Sequence, residues 1–456
     1  MSPTQPADDR LDFKRVLPIF VIVFVDLLGL TIILPLLPIY ASAFGANPFV
    51  IGIIGATYPT MQLLASPILG NLSDRFGRKP VLIVSQIGTF CGFILLGFAN
   101  AVPLVILSRM IDGISGANTV TARAAITDST TERTRAQGLG LIGAAFGLGF
   151  VIGPAIAGVS LALTGNDYRI PAFIAAGCSL VSIILTSVWF KETYPEEQRK
   201  EGRKRPQQGL RTRIVSALTS PLIGFLLVVM FLQQVVFMGF EQILPLFTLS
   251  RLGMGGIGNA MLFVFVGVIL VIFQGKYIGP LSRRFGEANL IFTGLLLVGG
   301  GLLLMAMTPQ LPVVGYEQQA MIESMQATGG ESQEIAVPLP PDQQTGWLGL
   351  VWLLVTVTPV SIGGALLQPN INSLITKRTS HFAIGSTLGV SSALVSAANA
   401  ITPLLSGTLF QFLGVSAPFI AGGMMLILVL MVAIRKITQD VNPQLLNDLE
   451  LTPLRD

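Results

Sequence analysis

Apolar residues in this chain gather into long unbroken stretches separated by short polar ones. Twelve runs are long enough to cross a hydrocarbon core as helices: 17–44, 49–71, 80–99, 102–126, 137–164, 169–190, 220–249, 257–281, 288–308, 346–376, 384–412 and 415–436. A membrane barrel would need alternating segments of about ten residues, and no such alternation is present. The first run is too long for a cleaved leader and contains Asp26, so it reads as a span. The polar, charge-rich segment 191–219 divides the runs six and six. The expected domains are therefore 1–190, a tether at 191–219, and 220–456.

The halves echo one another. Residues 70–77 read GNLSDRFG and residues 279–286 read GPLSRRFG, six matches in eight at an offset of 209. A second echo has an offset of 249: Leu139/Leu388, Gly140/Gly389, Pro154/Pro403 and Gly158/Gly407. The difference of 40 is the insertion of loop 309–345 into the second half alone. The expected fold is an all-α membrane protein, twelve transmembrane helices in two parallel six-helix pseudo-repeats, a design known among transporters.

Composition narrows the function. Hydrophobic residues make up 52 % and charged residues 11 % of the 456, against about 25 % charged in soluble domains, and mean hydropathy is +0.72. Two cysteines, Cys91 and Cys178, exclude a disulfide scaffold. One histidine, His381, leaves little material for metal sites or histidine relays. With the N-terminus placed in the cytoplasm, 23 Lys and Arg fall in inner segments and two, Arg169 and Arg251, in outer loops. Loop 309–345 agrees, carrying Glu317, Glu323, Glu331, Glu334 and Asp342 and no base. Both termini are thus expected inside a plasma (inner) membrane.

GNLSDRFGRKP at 70–80 resembles the signature loop of the major facilitator superfamily. DLLGLTIILPLLP at 26–38, LSRMIDGISGA at 107–117 and GLGFVIGPAIAG at 147–158 resemble the twelve-span drug/proton antiporters, most closely the tetracycline/proton antiporter group. The likeness is strong over 20–190 and diffuse thereafter. It implies a secondary active transporter, proton-coupled and exporting a small, drug-like organic solute by alternating access. A facilitator, an importer or a receptor-like member of the same fold are the alternatives. It further implies a gating loop of Gly70, Asp74, Arg75, Gly77 and Arg78. There Asp74 latches the halves in the outward-open state against the start of the eleventh span and Arg135, with Arg133 next. Arg75, Arg78 and Lys79 also serve the inside-positive rule without any gating. Arg283 replaces Asp74 in the second copy, so one latch is expected.

The fifth span holds two GxxxG pairs, Gly143–Gly147 and Gly149–Gly153, which let helices approach closely in lipid. Gly149, Gly153, Pro154 and Gly158 resemble the antiporter-type fifth span. Ionisable groups deep in spans are costly and default to function: Asp26, Arg109, Asp112 and Glu241 are the proton-coupling candidates. Arg123 and Lys276 lie near the inner face and can snorkel. Asp26 sits roughly 13 Å into its run at 1.5 Å per residue, near mid-membrane. Arg109 and Asp112, three apart, share a helix face and either neutralise each other or relay protons; a permanent Asp26–Arg109 staple is the competing arrangement. Asp112 departs from the small residue usual in the tetracycline group, as does the lack of an acid in 288–308. Gln62, Gln233, Gln234, Phe237, Gln368, Asn370 and Asn399 are cavity candidates, with Tyr58 and Phe240, although amides in spans also serve interhelical bonding. No GxxxxGK[ST] loop and no nucleophile–base constellation occurs, so an enzyme is not expected. The expected partners are a solute, protons and the bilayer, with no nucleic acid, no metal and no cofactor beyond the proton gradient, and the chain acting as a monomer.

Overall fold

The computed structural model describes residues 12–131, 134–194, 221–329, 335–342, 345–379 and 384–450. Most of the tether, Arg133, Glu331, Glu334 and His381 lie outside the described residues. Among those described, all regular structure is helical, and eleven helices are long and apolar enough to cross a membrane. The twelfth crossing is the fourth span, which is made in two pieces too short to count alone.

The helices are α1 (Phe13–Ile33), α2 (Leu37–Ala43), α3 (Pro48–Phe76), α4 (Arg78–Gly97), α5 (Val102–Gly116), α6 (Asn118–Asp128), α7 (Arg135–Thr164) and α8 (Arg169–Val188), then α9 (Pro221–Leu252), α10 (Gly256–Ile272), α11 (Ile278–Phe285), α12 (Glu287–Ala306), α13 (Gln318–Gly329), α14 (Leu348–Arg378), α15 (Ile384–Leu413) and α16 (Ala417–Glu450). Span one is α1 with α2, interrupted at 34–36, where Pro35 and Pro38 lack the N–H that a continuous ladder requires. Span four is α5 with α6. Span eight is α10 and α11 joined by a π-helical turn at Phe273–Tyr277.

The expected single run 102–126 is corrected by a break at Ala117, whose ψ of −1° leaves the helical well. The cause is local. Gly113 and Gly116 have no side chain, and Tyr58 of α3 occupies that space, its hydroxyl 2.4 Å from where a Gly116 Cβ would lie. The loop expected at 70–80 is corrected too. It is helical on both sides of one residue, Gly77, whose φ of 103° disfavours any L side chain. Gly286, 209 positions on, repeats this with φ 77°, and each glycine N–H donates to the serine carbonyl four residues earlier, Ser73 or Ser282.

Helix neighbours reproduce the repeat. Within the first six spans, 3 packs on 4 and 6, 1 on 5 and 6, and 2 on 4; adding six to each number gives the main pairs of the second six. Across the two sets, span 2 packs on 11 and span 5 on 8, a couple exchanged by the same operation. The echo at offset 249 sits in these seams. A Cβ on Gly158 would lie 3.2 Å from Ala260, and one on Gly407 would lie 2.5 Å from the Pro48 carbonyl.

The seams are tight only toward one end. Gly256 N–H donates to the Tyr168 hydroxyl at 3.1 Å, and a Cβ on Gly52 would strike the Pro403 carbonyl at 2.6 Å. Toward the end that carries 70–77, here called the inner end, a Cβ on Gly140, Gly143 or Gly389 would meet nothing within 4 Å. The helices are therefore splayed at the inner end and closed at the outer. Loop 309–345 adds to that closure. Its helix α13 packs on α2, Met321 lies against Gly255, Met325 and Val337 are buried, and the Tyr316 hydroxyl donates to the Pro340 carbonyl at 3.0 Å.

Candidate functional site

Asp26 lies 13 residues from the start of α1 and 17 before the end of α2, so near the middle of its span. Its Oδ2 accepts a hydrogen bond from Asn118 Nδ2 at 2.8 Å, and its Oδ1 is buried without a hydrogen bond. The backbone around it is self-satisfied: the Thr31 hydroxyl donates back to the Leu27 and Leu28 carbonyls. Gly153 of α7 packs on Thr31, where a Cβ would come within 2.2 Å of Oγ1, and Gly149 lies beside it. The fifth-span glycines thus bring α7 onto α1 about one turn beyond the carboxylate.

A cavity of ≈ 20 Å³, enough for about one water, is bordered by Asp26, Tyr58, Thr89, Asp112, Asn118 and Thr119 among others. Arg109 and Asp112, each 2 % exposed, pair at 3.1 Å, and the guanidinium lies 5.3 Å from the Phe93 ring centre. Arg109 is therefore engaged by Asp112 rather than by Asp26, and the Asp26–Arg109 staple is not formed. Its Nε and Nη2 make no hydrogen bond. Two carboxylates, Asp26 and Asp112, thus border one small space within the first half, and Arg109 is held by the second of them. A buried carboxylate with one lone-pair side unused beside a water-sized space is chemically suited to taking up and giving back a proton.

Glu241 stands apart, on span seven; its Oε1 is buried without a hydrogen bond and it has no ion-pair partner among the described residues. Gln233, Phe237 and Glu241 fall four residues apart and share a helix face. The Gln233 Oε1 is likewise unpartnered, and Phe237 packs on Gly364 of span ten and against Phe240, ring centres 5.8 Å apart. Gln234 donates to Asn399 at 2.8 Å, joining spans seven and eleven. Three candidates take other parts in this state. Gln62 donates to the Gly116 carbonyl at 2.8 Å, Asn370 donates to its own helix at the Leu366 carbonyl, and Gln368 is exposed.

At the inner end, among the described residues, Asp74 pairs with neither Arg135 nor the second half; residues 380–383, at the start of the eleventh span, lie outside them. Asp74 pairs with Arg78, a buried side chain that also binds Asp128 at the foot of span four at 3.0 Å and the Ser73 hydroxyl at 2.7 Å. Gly70 has Val120 of its own half as nearest neighbour, Arg75 leans on Phe76, and Arg135 is exposed. Of the two expected GxxxG contacts, Gly149–Gly153 packs, while Gly143 faces open space and Gly147 only reaches Val271 at 3.5 Å. The expectation of packing at Gly143 is corrected for this state by the same splaying.

Sequence reasoning missed Asn118, Thr89 and Thr119. The only written trace of Asn118 is its place after GISGA, where two glycines and a serine weaken the helix.

The Major Facilitator Superfamily model matches residues 19–322. Tetracycline resistance protein, class E, of Escherichia coli is 32 % identical over 300 residues, 65 % of this chain and 73 % of that protein. Multidrug resistance protein 1 of Bacillus subtilis is 27 % identical over 399 residues, 87 % of this chain and 89 % of that one. Among solved structures, the human organic anion transporter MFSD10 (TETRAN) superposes with a TM-score of 0.61 at 22 % identity, covering 94 % of this chain and 100 % of that one.

Proposed function

This chain belongs to the Major Facilitator Superfamily, and from that premise we propose that it is a proton-coupled antiporter that expels a small, amphipathic, drug-like organic solute. Its relatives are named for tetracycline and multidrug resistance, which fits solutes of that kind. The observation that carries the reading is Asp26. It is a carboxylate at mid-span with a buried, unbonded oxygen, beside a water-sized cavity, and Arg109 is held elsewhere. A carboxylate so placed is neutral when sealed in and ionises when wetted, which is what a proton carrier requires.

Alternating access supplies the rest. Two six-helix halves, divided in the 191–219 segment, rock about the seams of spans 2/11 and 5/8. With the cytoplasm at the base-rich inner end and both termini there, the described state faces inward. Solute enters from the cytoplasm or inner leaflet as Asp26 gives up its proton. The outer end then opens, solute leaves, and Asp26 is protonated from outside. Asp74 latches the inner end in that second state, and Arg78, tied to Asp128, keeps the foot of spans two and four rigid for it. Gln233, Gln234, Phe237, Glu241 and Asn399 form the second half's wall of the solute path. No bound cofactor is required; the proton gradient drives the cycle in the inner membrane, and the monomer suffices.

The test is Asp26→Asn in inverted vesicles, with tetracycline and ethidium as probes. Uphill accumulation driven by an imposed proton gradient should fall to background while downhill exchange survives. Uphill accumulation at the wild-type rate would move the coupling to Asp112 or Glu241.

A further inference from the structure

Resting on the reading of Asp26 as the coupling carboxylate, we propose that Asn118 is its positioning residue. Held at the break in span four, Asn118 fixes Asp26 by a hydrogen bond and sets the pH at which the coupling proton is released. The bond itself is 2.8 Å long from Nδ2 to Oδ2, Asn118 is 4 % exposed, and this is the side-chain hydrogen bond Asp26 receives among the described residues. The break that presents Asn118 is itself built from polar parts. Ala117 leaves the helical well, the Gly116 carbonyl is met by Gln62 Nε2 at 2.8 Å, and the Tyr58 hydroxyl fills the place of a Gly116 side chain. A straight span four would need none of these. The same cavity is bordered by Asp26, Tyr58, Asp112 and Asn118.

The chemistry follows from the donor. An amide N–H directed at a carboxylate stabilises its charged form, and an amide cannot itself titrate. The titratable and charged groups around Asp26 are Asp112 and Arg109 from span four, Tyr58 from span two and Cys178 from span six. Span three offers Thr89 and Phe93, without charge, and span five meets α1 through Gly149 and Gly153 on Thr31. Arg109 is engaged by Asp112, so Asn118 is the group left to steady the ionised Asp26.

Infrared difference spectroscopy of the purified protein reads this without any solute. The band of a protonated buried carboxyl is followed against pH and assigned to Asp26 by its loss in Asp26→Asn. In Asn118→Leu, close to isosteric but without the donor, its midpoint should rise by about one pH unit, a tenfold change in proton affinity. Asn118→Asp, polar and of the same shape, should shift it in the same direction and further, because it adds a like charge. A role in packing alone would lower the unfolding temperature and leave the midpoint in place. An unchanged midpoint in both variants overturns the assignment of Asn118 and leaves the antiporter reading standing. The absence of any titrating band that Asp26→Asn removes overturns the reading beneath it.

Discussion

Gly153 and Gly143 lie ten residues apart on one helix and differ in everything but side chain. A Cβ at Gly153 would lie 2.8 Å from the Thr31 carbonyl carbon, a backbone atom that cannot step aside, whereas at Gly143 there is open space. Gly153→Ala is therefore expected to cost about 1–3 kcal/mol, the usual range for overpacking, visible as a lower unfolding temperature in detergent. Gly143→Leu should leave that temperature unchanged and slow transport, because the larger side chain obstructs the inner end only when it closes. Equal loss of stability in both would show that the inner end is packed. At this scale the sequence is readable where a residue violates its surroundings. An acid at position 26 in an apolar run cannot be overlooked, and Arg109 and Asp112 announce their pairing by spacing. Asn118 violates nothing in its polar neighbourhood, and its importance comes from a helix break made by contact with Tyr58, across the bundle. The partner of Asp74 was illegible for another reason: 70–80 reads as a loop, and only a helix that runs to Phe76 brings Arg78, four residues on, within reach.

At the scale of elements, the two offsets in the sequence meet in a pair of ion bridges. Arg78 opens span three and binds Asp128 at the foot of span four; Glu287 opens span nine and binds Lys377 at the foot of span ten. The first partners differ by 209 and the second by 249, so the bridge occupies equivalent places with its charges reversed. Lys377 is 61 % exposed, so Glu287→Lys alone should destabilise by no more than about 1 kcal/mol. Glu287→Lys with Lys377→Glu should restore the wild-type unfolding temperature. Failure of that exchange would mean Glu287 matters for something other than the bridge. Arg78→Gln should cost more, since it leaves Asp128 and Asp74 without their shared, buried partner. Run length placed the spans, while the interruption at 34–36 escaped, since 17–44 reads as one run. The broken fourth span escaped because no proline marks Ala117 and the contact with Tyr58 that goes with the break is tertiary. Helix α13 escaped because it is polar, its only trace being Met321 and Met325 four residues apart.

In the whole molecule the first six spans and the second six repeat one packing pattern and meet along spans 2/11 and 5/8; the internal repeat predicts the likeness, and the seams were not legible in it. Which end stands open was not legible, since one sequence must serve both states. Single cysteines at positions 143 and 389 should label from the cytoplasmic side in the absence of solute, and one at 256 should not label from outside. Labelling at 256 from outside under those conditions would reverse the assigned state. Loop 309–345 breaks the equivalence of the two bodies. Only four residues, 98–101, join spans three and four, whereas nine and ten are joined through α13, which crosses to rest on α2. The closed outer mouth therefore hides Met325 and holds Met321 against Gly255. On the antiporter reading, the closed outer mouth carries a weight that the inner one lacks, so the outward stroke is expected to be the slower one. On that same reading an antibody that lifts α13 off α2 should act as an accelerator, and one that presses it down as a brake, neither touching the path the solute takes.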